Sequence, residues 1–164
     1  MGTARNLRID SYAPREECQE SIVAFHDSDA ALRLMCGGYQ GGKTTAGCWD
    51  AIDICMESPV PTRGLIARFT YPQLEDTTMQ RFYEVCPPDI IVSKRQAPTP
   101  ECVLRGMHAD HTILFRHLQT EANYKGLPLS WAFIDQIEEV PKYIILTIIG
   151  RIAREPRKFW AAAN

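Results

Sequence analysis

Gly37, Gly38, Gly41 and Gly42 bracket Tyr39 and Gln40 and run directly into Lys43 and Thr44. The spacing is G-x-x-x-x-G-K-[ST], and its chemistry is the capture of phosphate. Consecutive backbone N–H groups cradle the oxygens, a lysine ammonium reaches the β and γ positions, and a threonine hydroxyl is a hard ligand for Mg²⁺. A loop that wraps a phosphate needs backbone conformations closed to residues with a β-carbon, which accounts for the glycines. Thr45 continues the same stretch and joins the candidate nucleotide-binding set, with ATP and Mg²⁺ as the expected ligands.

A second stretch, Trp131-Ala132-Phe133-Ile134-Asp135, is four apolar residues ending in an aspartate. A run apolar on both faces fits a central parallel strand, and an aspartate at its C-terminal end would hold Mg²⁺ through water beside the phosphate loop. The distance in sequence between loop and aspartate requires at least one intervening strand, which is the additional-strand class of P-loop ATPases. In that class a glutamate usually follows the aspartate and polarises the attacking water. Here the residue is Gln136, an amide that orients water but cannot take its proton. Glu138 and Glu139 follow closely and substitute if the turn swings one of them inward; otherwise they are the carboxylates favoured at a helix N-terminus.

Other candidates are single residues. Arg68 stands at the C-terminal end of an expected strand, where ligands bind in open α/β sheets, although a surface ion pair fits equally. Lys125, in the glycine-containing loop Asn123 to Leu127, is placed to stabilise γ-phosphate charge in its own site or a neighbour's. Gln19 precedes the first strand; it reads either as an adenine contact or as a solvent-facing helical residue. His108 and His111 read as a polar turn rather than as metal ligands.

The elements that must hold these residues are legible in outline. Pro14 opens a helix that carries Cys18, Ile22 and Phe25 and stops at Asp27-Ser28-Asp29. Residues 31–36 form a short strand, and Cys48, Ala51, Ile52, Cys55 and Met56 give the apolar face of a helix beginning near Lys43. A turn over 59–62 leads to a strand over 64–69. Leu74, Thr78, Phe82 and Val85 then line one side of a helix closed by Pro87-Pro88. Residues 89–100 read as a loop exposing Lys94 and Arg95, and 101–105 with 112–117 as a hairpin. An apolar helix over 143–149 and a strand over 158–164 complete the series. Between them Arg151, Arg154, Arg157 and Lys158 read as contacts to DNA phosphates or a neighbouring subunit, or as a solvated helix end.

The chain has 164 residues, 45% hydrophobic and 23% charged, enough for one domain with a real core. Its formal net charge of −2 excludes a globally basic nucleic-acid binder but not a local basic patch. Six scattered cysteines with no C-x-x-C pair read as reduced and mostly buried. With no bilayer-length apolar run and no signal peptide, a cytosolic location is expected.

Taken together, Pro14-Arg15 with Gln19, Gly37 to Thr44, Ala67-Arg68 with Thr70-Tyr71 and Leu74, Phe82 to Pro88, Phe133-Ile134-Asp135 with Glu138-Glu139, and Gly150-Arg151 with Arg154 resemble the ATPase domain of the large terminase subunit, the DNA-packaging motor of tailed bacteriophages. The resemblance covers nearly the whole chain. It implies a three-layer, RecA-like α/β fold with a mostly parallel sheet, and ATP hydrolysis that drives double-stranded DNA into a procapsid. It also implies a ring of subunits completing each other's sites, a portal protein and a small terminase subunit as partners, no membrane, and the cytoplasm of an infected bacterium as the location. By position, Lys43 and Thr44 would hold phosphate and Mg²⁺, Asp135 would hold Mg²⁺ through water, Lys125 would occupy the place of a finger-like basic residue, and Asn164 would end the strand of the γ-phosphate-sensing coupling motif. Family members continue into a nuclease domain, so the chain is expected to be an N-terminal ATPase domain truncated at that strand. The departures are Gln136 and the pair Tyr39-Gln40, where the family commonly has a basic residue. A small P-loop kinase and a nucleotide-dependent assembly module with little hydrolysis are the alternatives.

Overall fold

The structure, a computed structural model, describes residues 20–38 and 42–164. Pro14 to Gln19, which include the expected helix start and the candidate adenine contact, and Tyr39, Gln40 and Gly41 of the glycine loop lie outside the described residues.

Among the described residues, the main elements are four α-helices and seven strands. They are α1 (Glu20–Asp27), β1 (Leu32–Cys36), α2 (Lys43–Glu57), β2 (Arg63–Arg68), α3 (Gln80–Val85), β3 (Ile91–Arg95), β4 (Glu101–Arg105), β5 (Asp110–His117), β6 (Trp131–Asp135), α4 (Lys142–Arg151) and β7 (Lys158–Ala163). One α-turn, Tyr71–Gln73, and one π-turn, Leu74–Met79, lead into α3. The strands form a single sheet in the order β1-β7-β6-β2-β5-β4-β3. The first five are parallel, and β4 and β3 add an antiparallel margin. Helices on both faces complete three layers, the mostly parallel α/β architecture expected.

One face of the sheet is covered by α1, α2 and the 71–85 segment over Trp131, Phe133, Trp160, Ile66 and Phe115; the other is covered by α4 over Leu65, Ile134, Phe159 and Ala161. Alternate residues of β6 face opposite cores, so a central strand is apolar throughout and all five of its residues are buried. The ring of Trp160 stacks between Trp131 and Phe133, with centroids 5.3 and 6.0 Å away, and its indole N–H donates to the Gly47 carbonyl at 3.0 Å. This bond seats α2 on the sheet while satisfying the one polar atom of a fully buried ring.

Gly47 is required there. A β-carbon at this position would come 2.2 Å from Cζ of Phe133. Asp50, further along α2, is buried between His26 of α1, at 2.6 Å, and Arg33 of β1, at 2.7 Å, and so ties three elements together at the end of the sheet away from the glycine loop.

Two expectations are corrected. Residues 89–100 are not a continuous loop, since β3 pairs antiparallel with β4 along the edge of the sheet. Its residues are half-buried only at Ile91 and exposed beyond it, so no alternation of apolar and polar residues marks it. Lys94 there lies over the Tyr83 ring at 3.7 Å, and Arg95 pairs with Glu101 at 2.8 Å. His111 is not part of a polar turn. It is fully buried on β5, where its Nδ1 accepts the Thr62 N–H at 3.1 Å.

Candidate functional site

The C-terminal ends of the parallel strands β6 and β7 open onto one cavity of about 560 Å³. Gly42, Lys43, Thr44 and Thr45 line one side, Asp135 and Gln136 the floor, and Ala162, Ala163 and Asn164 another side. Gly42 starts α2. Its left-handed backbone (φ 73°, ψ 5°), which only glycine adopts without strain, turns the chain from loop to helix, and its carbonyl takes the first helical bond from Ala46 at 2.8 Å. The free N–H groups of that first turn and the helix dipole make this end a site for anionic groups.

Two motifs 91 residues apart in sequence meet here. The Thr44 hydroxyl donates to Asp135 Oδ1 at 3.0 Å, although Asp135 is only 2% exposed. Two hard oxygen donors side by side are the donor set Mg²⁺ prefers. The Lys43 ammonium donates to the carbonyls of Gly37 and Gly38 at 2.7 and 2.6 Å, so it is folded over the described part of the glycine loop.

Gln136 also adopts a left-handed backbone, φ 54° and ψ 59°, which turns its side chain out of the line of β6. Its Oε1 accepts a hydrogen bond from Arg68, whose other terminal nitrogen donates to Thr77 Oγ1. Arg68 is therefore no surface ion pair: it is 6% exposed, 4.0 Å from Asp135 Oδ2, and braces the residues that line the cavity.

Glu138 and Glu139 lie on an exposed single turn of 3₁₀ helix, Ile137–Glu139. Glu138 Oε1 accepts the Asn164 N–H at 3.2 Å at the rim, and Glu139 accepts from the Gln73 amide at 3.4 Å. The structure does not bring Lys125 to this cavity. It is exposed, paired with Glu121 at 2.7 Å, and that bond raises the pKa of its ammonium above the ordinary lysine value.

Sequence reasoning missed the opposite wall. Asp76, Thr77, Gln80, Arg81 and Glu84, from the π-turn and α3, complete the cavity. Arg81 and Glu84 pair with each other at 2.8 Å. Behind them Thr78 donates to Asp135 Oδ2 at 2.8 Å. The signal for Thr78 was its place in the stripe Leu74, Thr78, Phe82, a hydroxyl where every neighbour is apolar. Cys48, one turn beyond Thr44, is fully buried. Burial first, then the Asp135 carboxylate, pushes its thiol well up.

No family model matches the chain. No curated protein matches it in sequence. Solved structures do match it. The large terminase of a thermophilic bacteriophage superposes with a TM-score of 0.75 at 14% identity, over 96% of this chain and 38% of that one. The large terminase ATPase domain of Thermus phage P74-26 gives 0.70 at 17%, over 88% and 64%. The large terminase of bacteriophage HK97 gives 0.58 at 11%, over 87% and 31%. The fold is that of the large-terminase ATPase domain. The chain spans less than two fifths of the first of these terminases, which has also been solved in complex with ADP and with ATP-gamma-S.

Proposed function

We propose that this chain is the ATP-binding and ATP-hydrolysing motor domain of a viral terminase large subunit, powering the movement of double-stranded DNA into a procapsid. The observation that carries the proposal is the meeting of Thr44 and Asp135 at the head of α2, inside a cavity lined by both motifs, on the terminase ATPase fold. The solved ADP and ATP-gamma-S complexes of the thermophilic phage terminase support the nucleotide reading.

In this reading the N–H groups of Gly42 to Thr45, with Gly37 to Gly41, enclose the phosphates, and Lys43 leaves the loop carbonyls for the β and γ oxygens. Thr44 and Asp135 would hold Mg²⁺, which would supply positive charge against the phosphate oxygens. Gln136 orients the attacking water. Glu138 or Glu139 takes its proton, and Asn164 meets the γ-phosphate at the end of β7. Arg68 keeps Gln136 in place beside the nucleotide, and Gln19 contacts adenine. Lys125, remote from its own cavity, serves the site of the next subunit in a ring. Double-stranded DNA, a portal protein and a small terminase subunit are the partners proposed, and the cytoplasm of an infected bacterium is the location. Among the described residues no helix is long and apolar enough to cross a membrane.

The test is ATP binding by wild type and Lys43→Ala. Affinity is expected to fall by about two orders of magnitude, because a charge-assisted contact to phosphate disappears; equal affinity would end the assignment.

A second reading, an assembly module that binds ATP with little hydrolysis, is favoured by one contact. The Gln136 amide oxygen is engaged by Arg68 and is not a base. Gln136→Glu separates the two. Turnover within about threefold of wild type is expected for the motor, whereas a gain of about a hundredfold, the scale of a general base, belongs to the binding module.

A further inference from the structure

Thr78 sits in the π-turn Leu74–Met79, which packs against the core through Leu74 and Met79. It is 0% exposed, so its hydroxyl hydrogen must find an acceptor inside the protein. A helical threonine commonly bonds the carbonyl one turn back. Its neighbour Thr77 does so, with Gln73 as acceptor. Thr78 instead reaches across to β6 and donates to Asp135 Oδ2 at 2.8 Å.

The carboxylate is therefore held at both ends by different elements. Thr44 at the start of α2 takes Oδ1, and Thr78 takes Oδ2. Within the π-turn the adjacent threonines meet different partners, Thr77 accepting from Arg68 and Thr78 donating to Asp135. The backbone carbonyl of Thr78 also lies 4.0 Å from Cys48 Sγ on α2, which ties both carboxylate-holding helices to one another.

We propose that Thr78 is a positioning residue for the metal-bearing carboxylate: by fixing one oxygen of Asp135 it sets the rotation that presents the other beside Thr44, and so sets the affinity of the site for a divalent cation. The inference rests on the reading of Thr44 and Asp135 as the Mg²⁺ pair. Partners that orient a metal ligand without touching the metal typically change affinity roughly 10- to 100-fold when removed.

Two substitutions separate positioning from packing. Thr78→Val keeps the shape and deletes the donor, whereas Thr78→Ser keeps the donor and deletes a methyl. The readouts are ATP binding in EDTA, and Mn²⁺ binding at saturating ATP followed by the electron-paramagnetic signal of free Mn²⁺. For Thr78→Val the expected result is Mn²⁺ affinity reduced about tenfold with metal-free ATP binding unchanged, and for Thr78→Ser a value within about twofold of wild type. If the valine variant does not fold, Thr78→Ala carries the same expectation. Unchanged Mn²⁺ affinity in Thr78→Val would overturn the proposal, as would equal losses in the valine and serine variants, which mark a packing role. A folded wild type that binds ATP but no Mn²⁺ would instead overturn the underlying metal reading, and is told apart because it shows before any substitution.

Discussion

Asp135 and His111 show how differently two buried polar residues behave. Asp135 closes β6 and receives hydroxyls from Thr44 and Thr78. His111 serves the fold. Its Nδ1 accepts the N–H of Thr62, so the ring is neutral with the proton on Nε2, and burial lowers its pKa against a smaller opposing effect of Asp110. The unfolded chain, with histidine near about 6.5, then binds the proton more readily than the folded one. Stability is complete above that value and declines as pH falls through it. The urea midpoint is expected to drop between about pH 7 and pH 5, and His111→Asn to flatten that slope whatever its absolute stability. Parallel slopes for the two proteins would refute the assignment.

Among elements, α2 and β6 matter most, because their close approach places Thr44 against Asp135. Gly47 permits it, three residues after Thr44, and Phe133 receives it, two residues before Asp135. Gly47→Ala forces the helix off the strand and is expected to lower stability by about 1–3 kcal/mol and to weaken Mg·ATP binding with it. Denaturant midpoints at constant slope measure the first effect, and wild-type values for both quantities would show that the helix has room to spare. These elements were legible from sequence because a buried parallel strand and a glycine-led amphipathic helix each leave a strong pattern. The edge strand β3 was not, since a strand with one half-buried residue leaves no alternation. Nor was the π-turn. One extra residue shifts the stripe of Leu74, Thr78 and Phe82 too little to notice. The carboxylate and its threonine from the glycine loop were thus legible, whereas the wall facing them depended on contacts distant in sequence.

At the scale of the whole molecule, the proposed role extends to a ring of copies. Lys125 is exposed and paired with Glu121, outside its own cavity, and the basic residues Arg151, Arg154 and Arg157 are exposed at and beyond the end of α4. The proposed ring, in which neighbours complete sites on DNA, would use both features. Release of phosphate from Mg·ATP, with no acceptor, over a range of protein concentrations, with and without double-stranded DNA and with Lys43→Ala as the blank, tests this most directly. Turnover is expected to rise more than linearly with protein concentration and to increase with DNA. ATP bound with wild-type tightness but no phosphate released under any of these conditions would contradict the proposed role.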